Sequence, residues 1–140
     1  MFFNCITIFA ALLILLAPFT QAGVADCRMM TPGENPNLVD SHDLLAKFIA
    51  VCHLSPPRLP AMATECHKLN YKTSEIRICP PKNLDRRIWS TPVTHNCDDL
   101  FANIGSIMEQ CHTVVSTGGR MNLGNAQYGY IIITRPGGPN

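Results

Sequence analysis

The chain has 140 residues, of which 46% are hydrophobic and 15% charged, and its formal net charge at pH 7 is +1. A charge so close to balance excludes a strong long-range attraction to nucleic acid or to an anionic membrane. Seven cysteines in so short a chain predict a disulfide framework, because a small domain buries only a modest core and gains from covalent support.

The chain begins with an uncharged apolar stretch at residues 6–19 that predicts a signal peptide. About 14 residues of helix extend roughly 21 Å, too short to cross a bilayer core of about 30 Å. Pro18 interrupts the stretch, and small residues precede a cleavage point after Ala22. We therefore expect a signal peptide over 1–22 and one secreted, extracellular domain over 23–140, with no membrane span once the leader is removed.

Two segments have the pattern of amphipathic helices. Residues 40–52 place apolar side chains on one face at helical spacing, and Asp40 or Ser41 can cap the first free amides. Residues 97–111 follow the same period more closely and begin with acids, which the helix dipole favours there. Gly105 is expected to mark a close packing contact in this second helix, since glycine otherwise costs about 1 kcal/mol relative to alanine.

Strand signals occupy much of the rest of the chain. Period-two alternation predicts a strand over 75–79, and β-branched and aromatic residues favour further strands over 88–94, 114–115, 120–123 and 127–134. The pairs Gly118-Gly119 and Gly124-Asn125 between them are typical of turns. The order helix, strands, helix, hairpin predicts an α+β fold, with two helices packed on one face of a small antiparallel sheet and disulfides stabilising it.

Six of the seven cysteines lie in the predicted mature domain, and Cys5 leaves with the leader. An even number in a secreted domain predicts three disulfides among Cys27, Cys52, Cys66, Cys79, Cys97 and Cys111. Along a helix, Cys97 and Cys111 stand about 21 Å apart, whereas a disulfide needs Cα atoms within about 7 Å. A bond between these two is therefore excluded, and the pairing is otherwise undetermined.

Catalytic and metal sites have weaker support in the sequence. Four cysteines have a histidine nearby, but no C-x₂-C pair is present, so we expect disulfides, no metal and no cofactor. A ribonuclease needs two converging histidines, and the predicted second helix separates His95 from His112, which leaves His42, His53 and His67 as partners without a joining motif. Ser106 lies inside a helix and on no nucleophile elbow. We expect no catalytic residues, with a small secreted hydrolase or ribonuclease as the alternative.

Residues 80–88 form a proline-containing basic stretch that we expect to be a solvated loop. Arg86 and Arg87 within it are also a candidate dibasic processing site for a subtilisin-like protease of the secretory pathway. Cleavage there would leave two chains that disulfides could hold together.

The pattern as a whole resembles a known group of proteins. A leader, six mature cysteines and the segment Cys97-Asp-Asp-Leu … Ile107 … Cys111-His … Gly118-Gly119 … Gly129-Tyr-Ile-Ile-Ile are similar to small secreted cysteine-rich fungal effectors of the killer-toxin-like type. The likeness is most detailed over residues 90–134. It implies a compact α/β sandwich with its helices on one sheet face, with Cys97 and Cys111 each bonded to some other cysteine, and no transferable catalytic set.

The resemblance also implies where and on what the protein acts. Members of this group work outside the producing cell, as toxins on competing microbes or as virulence proteins in a plant host. We therefore predict a secreted effector or toxin-like protein that binds a host or microbial target, either a protein or a cell-surface component, with no nucleic-acid partner. A structural cell-wall or surface protein is the remaining alternative.

Overall fold

The structure, a computed structural model, describes residues 23–27, 35–61, 63–81, 92–112, 118–124 and 129–138. In chain order these form helix α1 (Leu38–Leu54), strands β1 (Arg58–Leu59), β2 (His67–Tyr71), β3 (Ser74–Cys79) and β4 (Val93–Thr94), helix α2 (Cys97–Gln110), and strands β5 (Gly119–Asn122) and β6 (Tyr130–Thr134). The predicted leader, the strand candidate at 114–115 and most of the one at 88–94 lie outside the described residues.

Four of the strands form one antiparallel sheet in the order β2-β3-β6-β5, and β1 pairs with β4 in a separate two-stranded sheet. Strand β6 lies inside the larger sheet and all five of its residues are buried, as its β-branched and aromatic sequence predicts. Ile76 of β3 lies opposite Ile133 of β6 in the antiparallel register, and both side chains face the helices.

Both helices pack on the same face of this sheet and enclose the main core. The helices contribute Leu44, Phe48, Cys52, Leu100, Ile104, Ile107 and Met108 to it. Strand residues on the other face form a second, smaller cluster of Cys79, Tyr130 and Ile132. The predicted α+β fold with two helices on one sheet face is therefore confirmed.

Helix α1 begins earlier than the sequence predicts, because its N-cap is Asn37. The Asn37 side chain accepts hydrogen bonds from two backbone N–H groups of the first turn. The predicted caps, Asp40 and Ser41, are wrong: both lie inside the helix and are buried against the β2–β3 turn. The Asp40 carboxylate accepts a hydrogen bond of 2.6 Å from the Thr73 hydroxyl, and Ser41 Oγ lies 2.8 Å from Ser74 Oγ.

Two predictions about glycines are also wrong. A Cβ added to Gly105 would meet no atom within 4 Å, so this position in α2 is not a close packing contact. Gly119 lies in strand β5 rather than in a turn, and a Cβ there would stand 2.6 Å from Cys111 Sγ. Close approach to a disulfide, not a turn conformation, is what requires glycine at this position.

Candidate functional site

Three disulfides hold the elements together. Cys27 bonds Cys111, Cys52 bonds Cys97, and Cys66 bonds Cys79, with Cα–Cα distances of 5.3, 5.8 and 4.1 Å. Each cysteine at an end of α2 therefore bonds a different element: Cys97 the last turns of α1, and Cys111 the N-terminal segment 23–27. The bonds are nested along the chain, each closing a loop inside the next.

The histidines do not converge in the part of the chain that the structure describes. His53 Nε2 lies 3.9 Å from Asp98 Oδ1 beside the Cys52–Cys97 bond, but both side chains are more than half exposed. A solvated pair at this distance contributes little energy. No group of three His, Cys, Asp or Glu residues stands close enough to hold a metal ion among the described residues.

His95 is the exception among the histidines, because it is 8% exposed. Its backbone N–H donates to the Pro57 carbonyl at 3.1 Å, and Nε2 finds no hydrogen-bond partner among the residues described. Burial lowers the pKa of His95 below 6.5, since the charged imidazolium is poorly solvated there. The folded protein therefore favours the neutral form of the imidazole.

The predicted processing site at Arg86 and Arg87 lies outside the described residues. No helix in the described ranges is long and apolar enough to span a bilayer.

The two edges of the larger sheet differ. The outer edge of β5 is covered by the N-terminal segment, where Asp26 and Arg120 exchange backbone hydrogen bonds of 2.7 and 3.1 Å. Strand β2 pairs with β3 on one side, and no strand of the described chain pairs with its other side. His67, Lys68 and Asn70 are exposed along it. We call this outer side of His67–Tyr71 the β2 edge.

A cationic cluster surrounds Tyr71 at the end of the β2 edge. Lys47 Nζ lies 3.5 Å and Lys72 Nζ 4.9 Å from the centre of the Tyr71 ring, within cation–π range. Lys72 Nζ also lies 3.6 Å from Asp40 Oδ1. The Thr73 hydroxyl, followed by weaker contributions that include Lys72, lowers the pKa of Asp40 below 3.8. The cluster places two lysines at the end of a sheet edge.

The pKa of Lys72 is raised above 10.5, first by its contact with the Tyr71 phenol and then by the Asp40 carboxylate. Lys72 is therefore fully charged at neutral pH. Its backbone has φ of +49°, which forms the tight turn between β2 and β3.

The sheet face away from the helices buries an ion pair rather than a reactive centre. Arg77 Nε donates to the Glu75 carboxylate, and both side chains are less than 5% exposed. Arg77 Nη1 also donates to the Gly138 carbonyl at 2.9 Å, which ties the C-terminal segment over this face. Arg120 stacks on the Tyr130 ring at 3.9 Å nearby. Hydrogen bonds and packing satisfy these charges, so the group is structural.

Comparison of the chain with known protein families, with curated proteins and with solved structures finds no match.

The β2 edge is the feature that the sequence does not predict. Its signal is weak, because only Leu69 and Tyr71 of the five strand residues are apolar and they share one face.

Proposed function

We propose that this chain is a secreted protein that acts outside the producing cell by binding a target, in the manner of cysteine-rich effectors or toxins similar to the killer-toxin-like group. The observation that carries the proposal is the set of three nested disulfides. Such bonds persist in oxidising compartments and are rare in the cytosol.

The way in which the disulfides are placed supports binding as the mode of action. They fix α1 to α2, α2 to the N-terminal segment, and the start of β2 to the end of β3. A surface held in one conformation loses little entropy when it binds a partner, which favours affinity. The target is proposed to be a host or microbial protein or cell-surface component.

Export is tested by expressing the full chain in a yeast secretory host and measuring the intact mass of the protein in the medium. We expect a species that begins near Gly23, carries three disulfides and stays one chain after reduction. Two chains after reduction would instead establish processing at Arg86-Arg87. Retention of the whole chain in the cell would contradict the proposal.

Binding is tested with the fluorescently labelled mature protein on plant protoplasts and on yeast cells. We expect saturable binding to one of the two, together with cell death in infiltrated leaf or a growth-free zone on the yeast lawn. The matched control is the same protein reduced and alkylated, which should lose both effects. No binding and no response in either system would overturn the proposal, and RNA or peptide hydrolysis by the intact protein would favour an enzyme.

A further inference from the structure

The β2 edge has backbone groups available for a further strand. Tyr71 and Ser74 flank the two-residue turn, so that they occupy a hydrogen-bonded position of the antiparallel pair. Positions alternate along the pair, and the N–H and C=O groups of Asn70 and Lys68 then point away from β3. Both residues are exposed. An extended peptide can therefore add to this edge through main-chain hydrogen bonds.

Charge on the β2 edge favours an acidic partner. Lys68 is exposed on the strand, and Lys47 and Lys72 are held around Tyr71 at its end. Asp40, an acid beside them, is 9% exposed, and its carboxylate already contacts Thr73 and Lys72. A second copy of this chain would bring two such sets of lysines together, which is unfavourable. An acidic segment of another protein is favoured instead.

Helix α1 provides apolar contacts beside the same edge. Lys47, Val51 and Leu54 lie on one side of α1, because they are spaced four and three residues apart. The contact of Lys47 with the Tyr71 ring places the Lys47 end of this side next to the end of β2, and Val51 and Leu54 follow it along the helix. Val51 is 48% and Leu54 89% exposed. A strand added to β2 would therefore have an apolar neighbour on its helix-facing side.

From these three observations we propose that the β2 edge binds an extended segment of a partner protein in which apolar and acidic residues alternate. Side chains alternate between the two faces of a strand. The apolar ones would contact Val51 and Leu54 on the helix face, and the acidic ones would meet Lys68 on the other face. This inference deepens the proposed function and rests on it.

The test uses the mature protein with its disulfides intact and a capped seven-residue peptide of alternating valine and glutamate, with its affinity measured by fluorescence anisotropy. The control peptide alternates valine and lysine. We expect at least tenfold tighter binding of the glutamate peptide. Equal affinity for the two peptides, or no detectable binding of either, would overturn the inference.

Two variants locate the binding on the β2 edge. Lys68→Glu should weaken binding of the glutamate peptide about tenfold, whereas Arg58→Glu, an equal charge change on the separate two-stranded sheet, should leave it within twofold of wild type. Asn70→Pro should abolish binding, because it removes an outward N–H without disturbing the ladder to β3. Thermal unfolding verifies that each variant is folded. Unchanged affinity in both Lys68→Glu and Asn70→Pro would refute the site.

The same variants separate this inference from the proposed function. If the wild-type protein and Asn70→Pro bind target cells equally, the protein is a binder but the β2 edge is not its binding surface. If the wild-type protein binds the glutamate peptide and no cells, the edge inference holds and the proposed function fails. Concentration-dependent dimerisation that Asn70→Pro removes would assign the edge to a second copy and overturn the inference.

Discussion

Gly105, in the middle of helix α2, lowers the stability of the protein, and no close packing contact requires a glycine there. Its added Cβ would meet no atom within 4 Å, and glycine in a helix interior costs about 1 kcal/mol relative to alanine. Gly105→Ala should therefore raise the free energy of unfolding by about 1 kcal/mol, as measured by urea titration of the disulfide-intact protein. A decrease would mean that this position in the helix does not accommodate a Cβ.

Gly119 provides the matched comparison, because the same substitution there should have the opposite sign. Its Cβ would lie 2.6 Å from Cys111 Sγ and 3.2 Å from Ile107 Cγ2, and neither atom belongs to a flexible chain end. Overpacking of this kind typically costs about 1–3 kcal/mol. We expect Gly119→Ala to lower the free energy of unfolding by that amount in the same urea titration, and a neutral result would contradict the close packing.

His95 should make the protein less stable as the pH falls below about 6.5. Burial lowers its folded-state pKa below 6.5, so the unfolded chain binds the proton more readily than the folded one. The contribution of His95 is therefore complete above pH 6.5 and is lost as pH falls through 6.5 toward the lowered pKa. The slope is at most about 1.4 kcal/mol per pH unit for one proton.

The measurement for His95 is urea unfolding at several pH values above and below 6.5. His95→Gln should flatten the acid slope, while His53→Gln, which removes a mostly exposed imidazole, should leave it unchanged. The lowered pKa of Asp40 acts below pH 3.8 and does not enter this window. An equal slope in wild type and His95→Gln would contradict the assignment to His95.

At the level of the elements, the helices and the central strands could be predicted from the sequence, but the edge strand β2 could not. Helix periodicity and the apolar run of β6 report burial directly, since a buried face selects apolar side chains. An edge strand such as His67–Tyr71 is half exposed and carries lysine and asparagine, so its pattern resembles that of a loop. The candidate site at this edge has no clear sequence signal for the same reason.

The start of α1 is not predictable from the sequence, because several residues near it have the chemistry of a cap. Asp40 and Ser41 instead bond Thr73 and Ser74 across the β2–β3 turn, a contact that depends on tertiary packing. Asn37→Ala should destabilise the protein by about 1 kcal/mol, since it leaves two N–H groups of the first turn uncapped. Asn37→Ser should retain most of the stability in thermal unfolding. Equal losses in the two variants would argue against capping.

For the molecule as a whole, the number of disulfides followed from the sequence and their pairing did not. Helical geometry separates Cys97 from Cys111, but the partners of each depend on how α1, the N-terminal segment and the sheet assemble. The structure bonds Cys97 to the last turns of α1 and Cys111 to Cys27. Such bonds join residues 45 and 84 positions apart, which no local pattern encodes.

The nesting of the disulfides predicts an order of stability losses when single bonds are removed. When the other two bonds are intact, Cys52–Cys97 already spans 45 of the 84 positions between Cys27 and Cys111, so the Cys27–Cys111 bond closes a loop of about 40 residues. The Cys66–Cys79 bond closes a loop of 13 residues. Loop-closure entropy then makes the outer bond worth about 4 kcal/mol and the inner one about 3. In urea titration, alanine at both cysteines of the outer bond should lower the unfolding free energy about 1 kcal/mol more than alanine at both of the inner bond. The reverse order would mean that the packing of Cys79, which is fully buried, outweighs chain entropy.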